Sequence, residues 1–193
     1  MAKIIGIGKY VPPKVLNNFD LEKIVDTTDE WITTRTGIKE RRIAEKNTGA
    51  SQLAFEASKI ALKRAGLKAS DIDLIIVATI TGDTPFPSAA CYLQNYLKAH
   101  NATCFDISAA CAGFVYALVT GWQFINGGLY KNVLVVGSEV LSSITDWKDR
   151  STCVLFGDGA GAVVLTKSKK DSILSAYLGS NGSETELLIV PAG

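Results

Sequence analysis

The 193-residue chain is 47% hydrophobic and 20% charged, with 20 Lys plus Arg against 19 Asp plus Glu, which excludes a disordered or fibrous protein. A net charge of +1 offers no field for a row of phosphates and so excludes sequence-independent nucleic-acid binding as the main role. A single histidine, His100, excludes a multi-histidine metal site, and cysteines at 91, 104, 111 and 153 form neither a zinc ribbon nor a CxxC redox motif. In chain order, residues 4–8 read as a short apolar strand, too short for a signal peptide, so no export is implied and a reducing cytoplasm is the simpler expectation. Pro12 and Pro13 force a loop, Asn18 reads as the N-cap of a helix to residue 25, and a second helix over 28–36 stops at Gly37. Residues 39–43 read as a basic edge strand. Over 50–65, Leu53, Ala54, Ala57, Ile60, Ala61 and Ala65 repeat at helical spacing before a Gly66 stop.

Further along, residues 74–78 form a continuous apolar strand, 87–97 a helix opened by proline, and 103–107 another strand. The uncharged run 107–130 is long enough to span a bilayer, but four glycines and several polar residues interrupt it. A core helix over 111–125, apolar all round, is the expected reading, with no membrane span. Strands over 133–136 and 162–165 follow, and the alternation implies a largely parallel sheet with right-handed crossovers. Gly6 and Gly8 start like a dinucleotide fingerprint, but Val11 and Pro12 stand where its third glycine and helix belong. The stretch 157–161, GDGAG, reads as a tight turn with close backbone packing rather than a phosphate loop, and His100 as a surface cap after a helix.

The informative segment is 106–113, DISAACAG. A strand ends, the chain must turn sharply between small residues, and Cys111 is expected on the first turn of the following helix. A helix amino terminus favours thiolate, the attacking species. A small buried hydrophobe is the alternative for any cysteine, and it suits Cys104, Cys91 and Cys153.

Four strings, DTTDEWITTRTGI at 26–38, FPSAAC at 86–91, DISAACAGF at 106–114 and FGDGAGA at 156–162, together resemble the β-ketoacyl-acyl carrier protein synthases III. These are thiolase-fold condensing enzymes that start fatty acid synthesis; more distant relatives such as polyketide starters stay open. The resemblance implies an α/β thiolase-like half over residues 1–193, a mixed, mostly parallel sheet with helices on both faces and a buried nucleophile helix. It implies Cys111 as the acyl-accepting nucleophile, its own NH serving as an oxyanion donor. By the same match, Trp31 and Arg150 would sandwich the CoA adenine, while Thr27 and Arg35 would make its polar and phosphate contacts. Phe86, Leu141, Phe156 and Leu188 match positions near the acyl pocket, although plain core is the alternative for each. The family's catalytic His and Asn, and a glycine-rich oxyanion loop, lie in a C-terminal half with no counterpart in this chain. The implied partners are acyl-CoA, malonyl-acyl carrier protein and a homodimer mate or complementary C-terminal half. The CoA thioester would be a substrate, and no cofactor or metal is implied. A non-catalytic CoA-binding or regulatory half, or an inactive fragment, stays open beside the enzyme.

Overall fold

The computed structural model describes residues 1–170 and 172–191. Five strands form one sheet in the order β1 (Ala2–Tyr10), β7 (Asp158–Lys167), β6 (Asn132–Val140), β4 (Leu74–Ala78), β5 (Thr103–Ile107). The β4–β5 and β4–β6 pairs are parallel, whereas β7 runs antiparallel to both β1 and β6. The sheet is thus mixed, parallel at its centre and antiparallel on one side. A separate antiparallel ribbon pairs β2 (Lys14–Asn17) with β3 (Glu40–Ile43).

Pleating divides the sheet between two helical layers. On β4, Ile75 and Val77 face α3 (Ala50–Ala65) and α4 (Ala89–Leu97), while Leu74, Ile76 and Ala78 face α5 (Gly113–Asn126). All five β4 residues are buried, as expected of a strand covered on both faces. Gly6 and Gly8 let α3 lie directly on β1: a Cβ at these positions would come within 2.2 Å of the Ala61 carbonyl oxygen and 2.0 Å of that of Ala57. Their role is close strand–helix packing.

Several expectations shift on this frame. The first N-cap is Asn17, whose side chain accepts from Asp20 N, and α1 is only Asn18–Leu21. Asn18 is buried instead, its amide donating to Asp29, Thr33 and the Ile38 carbonyl. Helix α4 is capped by Ser88, not opened by Pro87, which follows a cis peptide bond. The GDGAG stretch is no turn: its residues from Asp158 onward begin β7 and pair with β1 and β6, a ladder that local sequence does not show. The edge strand is basic as expected, yet Arg41 points inward, donating to Asn18 Oδ1 at 2.8 Å and the Val154 carbonyl at 2.6 Å. Burial lowers the pKa of its guanidinium. His100 is exposed just beyond α4.

Helix α5 buries a stripe, Gly113, Ala117, Gly121 and Ile125, rather than its whole circumference. The small residues let it approach the sheet, while its opposite side is partly covered and Val115 is 47% exposed. One sheet covers one side of a helix. Among the described residues no helix is long and apolar enough to cross a membrane.

Candidate active site

The residues after β5 form a strand–turn–helix elbow. Ala110 takes a left-handed φ of 43°, and Ala110–Ala112 make a single tight turn before α5 starts at Gly113. Cys111 therefore stands in the turn ahead of the helix, not within its first turn as expected. An alanine at a positive φ costs conformational energy, so the surrounding contacts must hold it there. One of those contacts is the approach of α5 to β4, where a Cβ on Gly113 would come within 3.2 Å of Ala78 Cβ. Cys111 is exposed, whereas Cys91 and Cys104 are half-buried and Cys153 is buried. No side chain caps α5, and the NH of its first residue, Gly113, donates to the Ala110 carbonyl.

The elbow is braced from β4 and β6. Thr79 N donates to the Ile107 carbonyl at 3.2 Å, which ties the loop after β4 to the end of β5. Glu139 on β6 accepts from Ile80 N at 2.9 Å, Thr81 N at 3.1 Å and Thr79 Oγ1 at 3.2 Å, and from the Thr81 hydroxyl. Asp106, five residues before Cys111, accepts from Ala89 N at 2.7 Å and Ala90 N at 2.8 Å and so caps α4. Burial pushes its carboxyl pKa upward, partly offset by those two NH donors, with Asp83 adding to the rise. Sequence reading missed Glu139 and Asp106. Asp106 stood inside a quoted motif, but its partners come from another helix; Glu139 carried no local signal.

A second cluster forms around α2 (Asp29–Thr36), capped by Thr28 and ended by Gly37 at a φ of 73°. Trp31 and Arg35 lie one turn apart, and the Arg35 guanidinium carbon sits 4.5 Å from the Trp31 ring centroid. Arg150, the first residue of α6 (Arg150–Cys153), brings its guanidinium carbon to 4.9 Å from the same ring and donates to the Asp26 carbonyl at 3.1 Å. Thr27 stands in sequence between Asp26 and the Thr28 cap, its hydroxyl oxygen buried without a hydrogen-bond partner among the described residues. The structure thus assembles Trp31, Arg35 and Arg150 from two separate stretches of chain, with Thr27 following Asp26, which accepts from Arg150. Both guanidinium groups already lie over the indole ring.

The four residues matched to the acyl pocket come from separate places in the sequence and differ in exposure. Phe86 is 85% exposed before α4 and Leu188 is 68% exposed in the C-terminal segment, while Leu141 after β6 and Phe156 before β7 are half-buried. A groove of about 550 Å³ does lie beside the elbow, where Ala112, Val115 and Tyr116 face residues 177–181. Tyr116 Oη donates to the Gly179 carbonyl at 3.1 Å at its rim. Among the described residues no group of three His, Cys, Asp or Glu is placed to hold a metal ion.

Residues 105–182, which contain the elbow and all of β6 and β7, match the family model described as 3-Oxoacyl-[acyl-carrier-protein (ACP)] synthase III. Over all 193 residues the chain is 58% identical to the β-ketoacyl-[acyl-carrier-protein] synthase III of Caldanaerobacter subterraneus subsp. tengcongensis, covering 58% of that relative. The chain is similar throughout to the N-terminal part of β-ketoacyl-[acyl-carrier-protein] synthases III. Its match to the Geobacillus kaustophilus synthase III is 62% over 183 residues, covering 94% of the chain and 59% of the relative. The crystal structure of the 3-oxoacyl-[acyl-carrier-protein] synthase III from Aquifex aeolicus VF5 superposes with a TM-score of 0.86 at 60% identity. That match covers 88% of this chain and 55% of the other. The chain therefore spans a little over half the length of these relatives, corresponding to their N-terminal part.

Proposed function

We propose that this chain is the nucleophile-bearing half of a condensing enzyme that loads an acyl group from acyl-CoA onto Cys111. The acyl-enzyme then condenses with malonyl-acyl carrier protein to start fatty acid synthesis in the cytoplasm. The observation that carries this reading is the exposed sulfur of Cys111 on a braced elbow ahead of α5. Cys111 thiolate attacks the thioester carbonyl, the tetrahedral oxyanion takes hydrogen bonds from NH groups at the elbow, and CoA leaves as its thiol. The Trp31, Arg35, Arg150 and Thr27 cluster supports a CoA role in which Arg150 moves off the indole to admit the adenine between them and Arg35 meets phosphate. Phe86, Leu141, Phe156 and Leu188 border the acyl chain once a homodimer mate or the C-terminal half covers them. Decarboxylation of the malonyl group develops a thioester enolate, which attacks the acyl-cysteine and frees Cys111. The His and Asn donors for that enolate belong to the C-terminal half. Intact-mass analysis after exposure to acetyl-CoA tests the first step. One acetyl group on Cys111, lost in Cys111→Ser, is expected, with β-ketoacyl product formed only when the C-terminal half is supplied. Acylation of a different residue in the assembled protein would overturn the assignment.

A further inference from the structure

Outside the elbow, the fold brings two thiols together. Cys91 on the first turn of α4 and Cys104 on β5 approach each other with their sulfurs 3.5 Å apart. The contact joins a helix to the strand beneath it. Ser88, the helix cap, donates its hydroxyl to Cys91 Sγ at 3.2 Å, while its Oγ also accepts from Cys91 N at 3.3 Å. These two bonds orient the sulfur toward β5. On the strand, Cys104 and Asp106 are two residues apart and so share a face, and Asp106 grips the first NH groups of the same helix. Parallel pairing of Cys104 with Ile75 of β4 fixes the strand end of the contact.

We propose that Cys91 and Cys104 form a redox-responsive dithiol that closes to an intramolecular disulfide when the protein meets a hydroperoxide. The sulfurs must approach from 3.5 Å to a bond of about 2.05 Å, a movement of roughly 1.5 Å. Helix α4 is the partner able to make it, because β5 is held in the ladder. Cys91 Sγ attacks one oxygen of the hydroperoxide, the O–O bond breaks, and the alkoxide or hydroxide leaves with the Cys91 proton, giving a sulfenic acid. Cys104 Sγ then attacks the Cys91 sulfur, the S–O bond breaks, and the departing hydroxyl takes the Cys104 proton as water. Two thiols and one hydroperoxide thus yield a disulfide, an alcohol or water, and a further water. The order follows from the surroundings: burial first, then Cys91 and Asp106, pushes the Cys104 thiol up to about 12, which keeps it protonated until its partner is oxidised. This dithiol is distinct from Cys111, which is exposed in the turn after the same strand. Closing it draws in the first turn of α4 and strains the Asp106 cap, and the exposed Phe86 loop feeds directly into that turn.

The test treats the folded protein with hydrogen peroxide, blocks free thiols with N-ethylmaleimide and maps peptides without reduction. The expected dominant disulfide joins the peptides of Cys91 and Cys104 and reverts on adding dithiothreitol. The same treatment of urea-unfolded chain should lose the preference for that pair. Cys104→Ser and Cys104→Ala should each abolish the cross-link, and both are used so that one poorly folding variant does not decide the matter. Finding Cys91 and Cys104 still free after Cys111 is fully oxidised would overturn the proposal. Equal pairing of either residue with Cys111 or Cys153 in the folded protein would do the same.

Discussion

Replacing Gly8 with Ala puts a methyl group 2.0 Å from the Ala57 carbonyl oxygen and 2.6 Å from Ala61 N. Both neighbours are backbone of α3, so no side-chain rotation relieves the clash. The closest contact must open from 2.0 Å to at least 3.0 Å, the limit below which Cβ contacts are essentially never found. Helix α3 must lift off β1, loosening Ala54, Ala57 and Ala61, which are fully buried. Overpacking of this kind costs about 1–3 kcal/mol, and rigid backbone on both sides places Gly8→Ala near 3. For a chain of this size that is a fall of roughly 6–12 °C in Tm. Gly161→Ala is the control: it lies within β7, and a Cβ there meets nothing within 4 Å. It should be neutral or stabilising by about 0.5 kcal/mol, because it removes glycine's unfolded-state freedom from a strand. Urea unfolding followed by tryptophan fluorescence compares both variants with the parent. A Gly8→Ala variant within about 0.5 kcal/mol of the parent, or a Gly161→Ala variant equally destabilised, would refute the packing argument.

Brief iodoacetamide treatment near neutral pH should label Cys111 ahead of Cys91, Cys104 and Cys153, since it alone is exposed; peptide mapping that finds another cysteine labelled first removes the basis for its nucleophilic role. Trp31→Ala should weaken CoA binding by about 1–3 kcal/mol, roughly five- to 150-fold, and calorimetry showing an unchanged Kd would make Trp31 a packing residue only. Asp106 gives a pH signature. Its carboxyl pKa is raised in the fold above the ordinary 3.8, so the folded state keeps a proton that the unfolded chain releases. That contribution is full below the unfolded value and is lost as pH rises through the higher folded value. The stability difference between the parent and Asp106→Asn, read from urea midpoints, should therefore shrink as pH rises from about 4; a difference that grows with pH contradicts the burial argument.

Where the sequence carried a strong local period, its elements are those of the structure. The 50–65 helix and the 74–78 and 103–107 strands coincide with α3, β4 and β5 to the residue. Ribbon strand β2 went unread because KVLN is short and lies half in solvent, its pairing with β3 reaching across α1 and α2. The choice between Asn17 and Asn18 as cap is equally non-local. Asn18 is drawn into the interior by Asp29, Thr33 and Arg41, none of which a four-residue window contains. At the site, residue types and motif order pointed to Cys111 and to the Trp31 platform. The turn that presents Cys111 depends on the left-handed backbone at Ala110, which an alanine does not advertise. Arg150 reaches Trp31 only because α6 folds back over α2, a contact spanning most of the chain.

Among the described residues the sheet partner of strand β1 is β7, the seventh strand. Ala2 pairs with Lys167 at one end of the ladder and Tyr10 with Ala160 at the other, so β1 leaves the ribosome well before the strand that completes this ladder. At about 5–20 residues per second, its isoleucines wait roughly 8 to 30 s for β7. During that interval the small-residue face of α3, shaped to fit Gly6 and Gly8, has only a tethered and unpaired strand to receive it. A chain stalled before Asp158 would hold both halves of that joint and still lack the strand that closes it. Translation speed through the stretch between β1 and β7 thus sets how long β1 stays open to pairing with a neighbouring nascent chain.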